Sequence, residues 1–109
     1  MADAYKVLGQ SDPSAATLTD AYTVPASTEA VISSIIVANR SGTGTSFRLN
    51  IAIAGAVAAN EQYIAYDTAI GGNETKSFTL GITLAATDKV RVYATLATLS
   101  FNIFGVEKS

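Results

Sequence analysis

The sequence YTVPASTEAVISSIIVANRSG, residues 22–42, is the clearest indication of fold class in the chain. It begins with a turn around Pro25, continues as a long apolar run rich in isoleucine and valine, and ends in turn residues from Asn39 to Gly42. β-Branched residues favour strands, whereas proline, glycine and asparagine favour the turns that end them. The stretch therefore predicts turn, strand, turn, and it carries no pattern typical of catalysis.

The same alternation of strand-like segments and short turns continues along the whole chain. The predicted strands are Ala4–Leu8, Thr17–Val24, Glu29–Asn39, Ser46–Ala54, Glu61–Thr68, Thr75–Thr83, Lys89–Thr95 and Leu99–Val106. This number and spacing of strands are typical of an all-β sandwich or barrel. We predict a single antiparallel β-sandwich domain over residues 1–109, and prefer a jelly-roll-like strand order to an immunoglobulin-like one.

Alternation of apolar and polar residues predicts which side chains form the core. The predicted core residues are Phe47, Leu49, Ile51, Ile53, Phe78, Leu80, Ile82, Val90, Val92, Ala94, Phe101 and Ile103. The segment Val31–Ala38 has apolar groups on both faces, which indicates a strand covered on both sides, either a central strand or one that contacts a neighbouring subunit. A helix competes over Ile51–Ala65 because alanine favours helices, but Gly55 and the β-branched neighbours favour strand, loop, strand.

Composition excludes several classes of protein. The 109 residues contain no histidine, cysteine or tryptophan, and the formal net charge is -2. The seven basic residues are scattered, so nucleic acid is not an expected partner. The absence of cysteine suits a reducing compartment, and the sequence has no signal-peptide pattern. No apolar run approaches the roughly 20 residues of a membrane-spanning helix, so no membrane contact is expected.

The apolar content is high for a domain with so few charges. Hydrophobic residues reach 49% and charged residues only 15%, against a typical charged fraction of ~25%. One explanation is an alanine-rich domain with small exposed side chains. The other is that part of the exterior is buried against other subunits.

The residues whose side chains could act in catalysis or bind a metal ion do not form a recognisable pattern. The carboxylates are dispersed, as at Asp20, Glu29, Glu61, Asp67, Glu74 and Asp88. Without histidine or cysteine, only a loose calcium site with oxygen ligands remains open to the chain. The glycines at 42–44 and 71–72 lack the Gly-Lys-Ser/Thr ending of a phosphate-binding loop. We therefore expect neither an enzyme nor a bound cofactor or metal ion.

Tyrosines and the start of the chain supply the candidates for contacts with other subunits. A tyrosine combines an apolar ring with a hydroxyl that tolerates water, and tyrosines are enriched in interfaces. The segment before residue 9 is an edge strand that could join this sheet or a neighbour's, with pairing inside its own sheet favoured. The candidate interface residues are Tyr5, Val7, Leu8, Tyr63, Tyr66 and Tyr93.

Several segments together carry a resemblance that covers nearly the whole chain. They are residues 19–26 (TDAYTVPA), 30–40 (AVISSIIVANR), 63–67 (YIAYD), 81–84 (GITL), 88–92 (DKVRV) and 99–105 (LSFNIFG). With these segments the chain resembles small β-structured virion proteins of tailed bacteriophages. Such segments recur in head decoration, tail and fibre-associated components.

The resemblance implies a structural virion protein made in the host bacterial cytoplasm. The leading expectation is a capsid decoration or cement subunit that binds the major capsid protein and itself, as a trimer, and stabilises the shell. The alternative is a tail- or fibre-associated module for attachment or host-glycan recognition, and only this alternative implies a glycan partner.

Overall fold

A computed structural model describes residues 3–109, apart from the side chain of Leu80, so the predicted core role of Leu80 lies outside the described residues. The described residues form eight strands and two single turns of 3-10 helix. The strands are β1 (Asp3–Ser11), β2 (Thr19–Thr23), β3 (Glu29–Asn39), β4 (Thr45–Ala52), β5 (Tyr63–Ile70), β6 (Thr75–Leu84), β7 (Lys89–Ala94) and β8 (Leu99–Lys108). The 3-10 turns, Ile53–Gly55 and Asn60–Gln62, lie between β4 and β5.

The strands form two four-stranded sheets with antiparallel neighbours. Sheet I has the order β1-β8-β3-β6, and sheet II has the order β2-β7-β4-β5. The predicted all-β sandwich is thereby confirmed. In an immunoglobulin domain the first two strands are neighbours in one sheet, whereas here β1 and β2 lie in different sheets.

The core lies between the sheets and is built from alternate residues of both. Most predicted core residues are fully buried, including Phe47 of sheet II and Phe101 and Ile103 of sheet I. The ring of Phe47 packs edge-on against Phe78 at 5.9 Å and Phe101 at 6.1 Å between centroids. Aromatic pairs of this geometry stabilise a core beyond the area that they bury.

The prediction for Ile53 is wrong, because its side chain is 75% exposed. Strand β4 ends at Ala52, and the chain then turns through Ala54 with φ of 54°. Inward and outward alternation stops where the strand stops. The expected strand, loop, strand is confirmed in this region, and a long helix is not formed.

A β-bulge at Ser33 explains the apolar groups on both faces of β3. The register shifts between Ile32 and Ser34 against both neighbouring strands. An extra residue moves the following side chains to the opposite face, so Ile32 and Ile35 both lie fully buried in one core. Strand β3 is central, as predicted, but its outward residues such as Ile36 are only half-buried, so this chain covers one face alone.

Candidate interaction surfaces

An apolar surface crosses the outer face of sheet I. Tyr5 and Val7 of β1 lie opposite Val106 and Phe104 of β8, and Val31 of β3 lies on the other side of Val106. Directly opposite residues on one face are within contact distance. Tyr5 is 81% and Val7 is 47% exposed. We call these five residues the apolar face.

Polar residues border the apolar face on its open sides. Strand β6 adds the exposed hydroxyls of Thr79 and Thr83. The charged residues Asp3, Lys108 and Glu29 form one row at the end of the sheet, where β1, β8 and β3 each place one of them in register. The centre of the apolar face is therefore uncharged.

The predicted N-terminal edge strand pairs within its own sheet, through β8. Leu8 follows the outward-facing Val7, so strand alternation places it on the inner side, where it packs against the core in a half-buried position next to the bulge between Val7 and Gly9. Of the three N-terminal candidates, Tyr5 and Val7 thus lie on the apolar face, and Leu8 does not.

The other three candidates, all tyrosines, gather on the outer face of sheet II. The Arg48 guanidinium lies 4.1 Å from the ring centroid of Tyr66 and 4.3 Å from that of Tyr93. Its Nε donates to Asp67 at 2.6 Å, and this hydrogen bond raises the pKa of Arg48 above its ordinary value. We call Arg48, Tyr66, Asp67 and Tyr93 the arginine cluster. Its guanidinium pairs with the carboxylate and stacks on both tyrosine rings.

Next to the arginine cluster, Tyr63 and Tyr66 form an open corner. Their ring centroids are 5.0 Å apart and the ring planes meet at 84°. With Asn60 they line a concavity of about 420 Å³. We call Asn60, Tyr63 and Tyr66 the aromatic corner.

Hydrogen bonds hold the segment that leads into the aromatic corner. The Gln62 side chain accepts from the backbone N–H of Ala59 at 3.0 Å and donates to the carbonyl of Val57 at 3.0 Å. Arg91 donates to the carbonyl of Ala56 at 2.8 Å, and the Asp88 carboxylate accepts from the N–H of Ala54 at 2.8 Å. These side-chain bonds fix a segment that no strand pairing stabilises.

Four of the dispersed carboxylates, those of Asp20, Asp67, Glu74 and Asp88, accept hydrogen bonds from neighbouring side chains or backbone N–H groups. Asp20 accepts from Lys89 at 2.6 Å and from Arg91 at 3.1 Å, and the hydrogen bond from Lys89 is the main cause of its lowered pKa. Glu74 accepts from the N–H of Gly71 at 2.6 Å. Among residues 3–109, no group of three or more acidic side chains is placed to hold a metal ion.

Sequence reasoning missed Arg48, Asp67 and Asn60 as surface partners of the tyrosines. The signal was weak, because the register that sets Arg48 opposite Tyr93 joins strands far apart in the chain. Over the described range 3–109, no helix is long and apolar enough to cross a membrane. Comparison with known proteins finds no matching family, no matching curated protein and no matching solved structure.

Proposed function

We propose that this protein is a structural subunit of a bacteriophage virion that decorates the capsid and stabilises the shell, and that it is not an enzyme. The observation that carries the proposal is the apolar face, with Tyr5 81% and Val7 47% exposed. An exposed apolar patch bordered by polar residues is typical of a protein interaction surface. The proposed occupant of this face is the major capsid protein.

The strand order supports a jelly-roll assignment, which we infer as part of this proposal. In jelly rolls two sheets are joined by Greek-key connections, and here the chain crosses between sheets at every connection other than that from β4 to β5. Viral capsid domains and lectins include jelly rolls. Fold alone does not decide function, so the argument depends on the surface.

The distribution of charge supports burial of the apolar face against a partner. Burial removes Val7, Phe104 and Val106 from water, which is favourable. The row of Asp3, Glu29 and Lys108 lies at the end of the sheet, so these ions stay hydrated at the rim, as in known interfaces. We further propose a homotrimer, because several linked copies bind a repeating shell more strongly than one copy does.

Light scattering and co-sedimentation with bare capsids of the same phage test the proposal. We expect a trimer that is stable on dilution and pellets with capsids. Val7→Asp should abolish pelleting, whereas Ile64→Asp should not, since Ile64 is as exposed, at 49%, but lies on sheet II. A wild-type protein that stays in the supernatant, or equal losses in the two variants, would refute the assignment.

A second candidate is a tail- or fibre-associated binding module. The aromatic corner favours it, because rigid exposed tyrosines are typical of recognition surfaces. Under this alternative the protein sediments with isolated tails and leaves capsids unbound, and its attachment is lost in Tyr66→Ala rather than in Val7→Asp. The same assay with both particles therefore separates the two candidates.

A further inference from the structure

We propose that the aromatic corner binds a neutral pyranose sugar. Asn60, Tyr63 and Tyr66 line this concavity on sheet II, whereas the proposed capsid contact uses sheet I. The inference therefore goes beyond capsid attachment, and it names a ligand class for the same corner that favours the second candidate. A sugar can occupy the corner while the apolar face is covered.

The shape of the corner fits a sugar ring. Two tyrosine rings at 84° with centroids 5.0 Å apart give a floor and a wall. The electron-rich face of an aromatic ring attracts groups with partial positive charge, including the C–H groups of a pyranose. The volume of about 420 Å³ lies in the range of roughly 300–1,000 Å³ that is usual for small-molecule sites.

The chemistry of the lining favours a neutral ligand. The tyrosine hydroxyls and the Asn60 amide can donate and accept hydrogen bonds, and none of the three lining residues is charged. The nearby Arg48 is engaged by Asp67 at 2.6 Å and covered by two rings. Arg48 is therefore not free to pair with an anionic ligand.

Neighbouring side chains hold the ring of Tyr66 in place before any ligand arrives. Arg48 stacks on Tyr66 at 4.1 Å and is itself held by Tyr93 and Asp67. Tyr63 starts β5 and lies opposite Asn50 of β4. A site whose side chains are already fixed loses little conformational entropy on binding, which permits useful affinity from a small contact area.

One observation favours the corner over another concavity, and one argument favours a sugar over a peptide. The second concavity, about 310 Å³ beside Gln10, Asp12, Arg40 and Asn102, has Phe101 as its one aromatic lining residue, and Phe101 is 1% exposed. Proline-rich peptides also dock on aromatic surfaces, but they are extended and need a groove. A single perpendicular corner suits a compact ring better, and the peptide is an outcome of the test below.

Titration with a defined panel tests the proposal. The probes are oligosaccharides of glucose, galactose, mannose and N-acetylglucosamine, together with a proline-rich peptide. Binding is followed by calorimetry and by intrinsic fluorescence, which reports tyrosine because the chain contains no tryptophan. We expect at least one oligosaccharide to bind and the peptide not to bind.

Variants locate the binding site. Tyr66→Ala should weaken sugar binding at least about tenfold, a change of about 1.4 kcal/mol. Asn60→Ala should also weaken it, and this variant guards against misfolding because Asn60 is exposed. Tyr5→Ala, on sheet I, is the control and should bind as the wild type does.

The proposal is overturned if no oligosaccharide of the panel binds, if only the peptide binds, or if binding survives in both corner variants. Capsid co-sedimentation of Tyr66→Ala keeps the two proposals apart. A variant that loses sugar but still pellets with capsids supports both, and failure of either assay alone refutes only its own proposal.

Discussion

The outer faces of the two sheets carry opposite chemistry on one framework. On sheet II, Arg48 lies between two tyrosine rings and pairs with Asp67, and Asp20 pairs with both Lys89 and Arg91. On sheet I, the apolar face exposes Tyr5 and Val7, with the charges confined to one end row. The outer face of sheet II pairs its charged side chains with one another, although it also exposes Ile64 (49%) and Tyr66 (56%). The apolar face of sheet I is exposed with no charged residue at its centre.

The difference indicates which face gains from being covered by a partner. Burial of paired ions costs hydration that their mutual attraction does not always repay. Burial of uncharged apolar groups is favourable because water is released. A broad partner is therefore expected on sheet I, whereas sheet II suits a small ligand at its open corner.

The largest expected effect comes from the core that both faces share. Phe47→Ala should lower the free energy of unfolding by about 3–5 kcal/mol, because it leaves a cavity in contact with residues of both sheets. Phe47 is fully buried and its ring packs on Phe78 and Phe101. Urea unfolding followed by circular dichroism measures the loss.

Phe104→Ala is the matched control for this prediction, since it removes the same side chain from the apolar face. Phe104 is half-buried on sheet I, so we expect a loss of only about 1 kcal/mol in the isolated protein. Equal losses for the two phenylalanines would mean that the apolar face is part of the core. The contrast between the two faces would then be wrong.

The next largest effect is expected on the outer face of sheet II, where charged side chains pair with one another. Arg48→Met keeps much of the stem but removes the stacking on Tyr66 and Tyr93 and the ion pair with Asp67. We expect a loss of about 2 kcal/mol from two cation–π contacts and one partly exposed ion pair. Thermal unfolding at low and high salt measures it, and added salt should reduce the difference because it screens the ion pair.

Lys76→Met serves as the control for Arg48→Met. Lys76 has one loose ion pair, 3.8 Å from Glu74, so its replacement should change stability by less than about 0.5 kcal/mol. If the two variants unfold alike, the arginine cluster contributes no more than an ordinary surface charge.

The strands were predictable because local patterns determine them. A run rich in Val and Ile, ended by turn residues, predicted β3 with the bounds that the structure has, Glu29–Asn39. The bulge at Ser33 was not predictable, since nothing in the pattern distinguishes a shifted register from a strand covered on both sides. The prediction that Ile53 is a core residue failed for a related reason, because alternation alone does not reveal where β4 ends.

The candidate surfaces were predictable only as residue types. Tyrosines could be named as surface candidates because of their amphipathic side chains. Their grouping around Arg48 depends on the pairing of β4 with the next strand, β5, which carries Tyr66, and with the distant strand β7, which carries Tyr93. Long-range register is not encoded in local alternation, so the partners Arg48 and Asp67 emerged only from the fold.

A smaller effect tests a polar bridge between the two sheets. Glu107 of sheet I accepts hydrogen bonds from Tyr22 of sheet II at 2.6 Å and pairs with Lys6 at 2.7 Å. The hydrogen bond from Lys6, followed by that from Tyr22, lowers the pKa of Glu107. The Glu107 carboxylate therefore binds a proton less readily in the folded state than in the unfolded state, where a glutamate has a pKa of about 4.3.

The stability from Glu107 is therefore present above about pH 4.3 and is lost as the pH falls through the lowered folded value. Glu107→Gln should cost about 1 kcal/mol at neutral pH and flatten the decline of stability in acid. Urea unfolding at a series of acidic pH values measures both. A variant with an unchanged acid decline would exclude Glu107 as its source.

The smallest effect is expected at alkaline pH and comes from Tyr22, the other member of this bridge. Burial, and then the hydrogen bond to Glu107, raises the pKa of Tyr22 above its ordinary value. An unfolded tyrosine loses its proton near pH ~10, whereas the folded Tyr22 keeps it. Stability from this group is therefore complete below that pH and is lost as the pH rises through the raised folded value.

Tyr22→Phe keeps the buried ring and removes the group that titrates. We expect a cost of about 0.5 kcal/mol at neutral pH, since Lys6 still pairs with Glu107, and a flatter stability profile above pH ~10. Tyrosinate absorbance and urea unfolding over that range measure the two effects. If the wild type and Tyr22→Phe lose stability in parallel, the bridge does not couple the sheets, and apolar packing alone holds the two contrasting faces together.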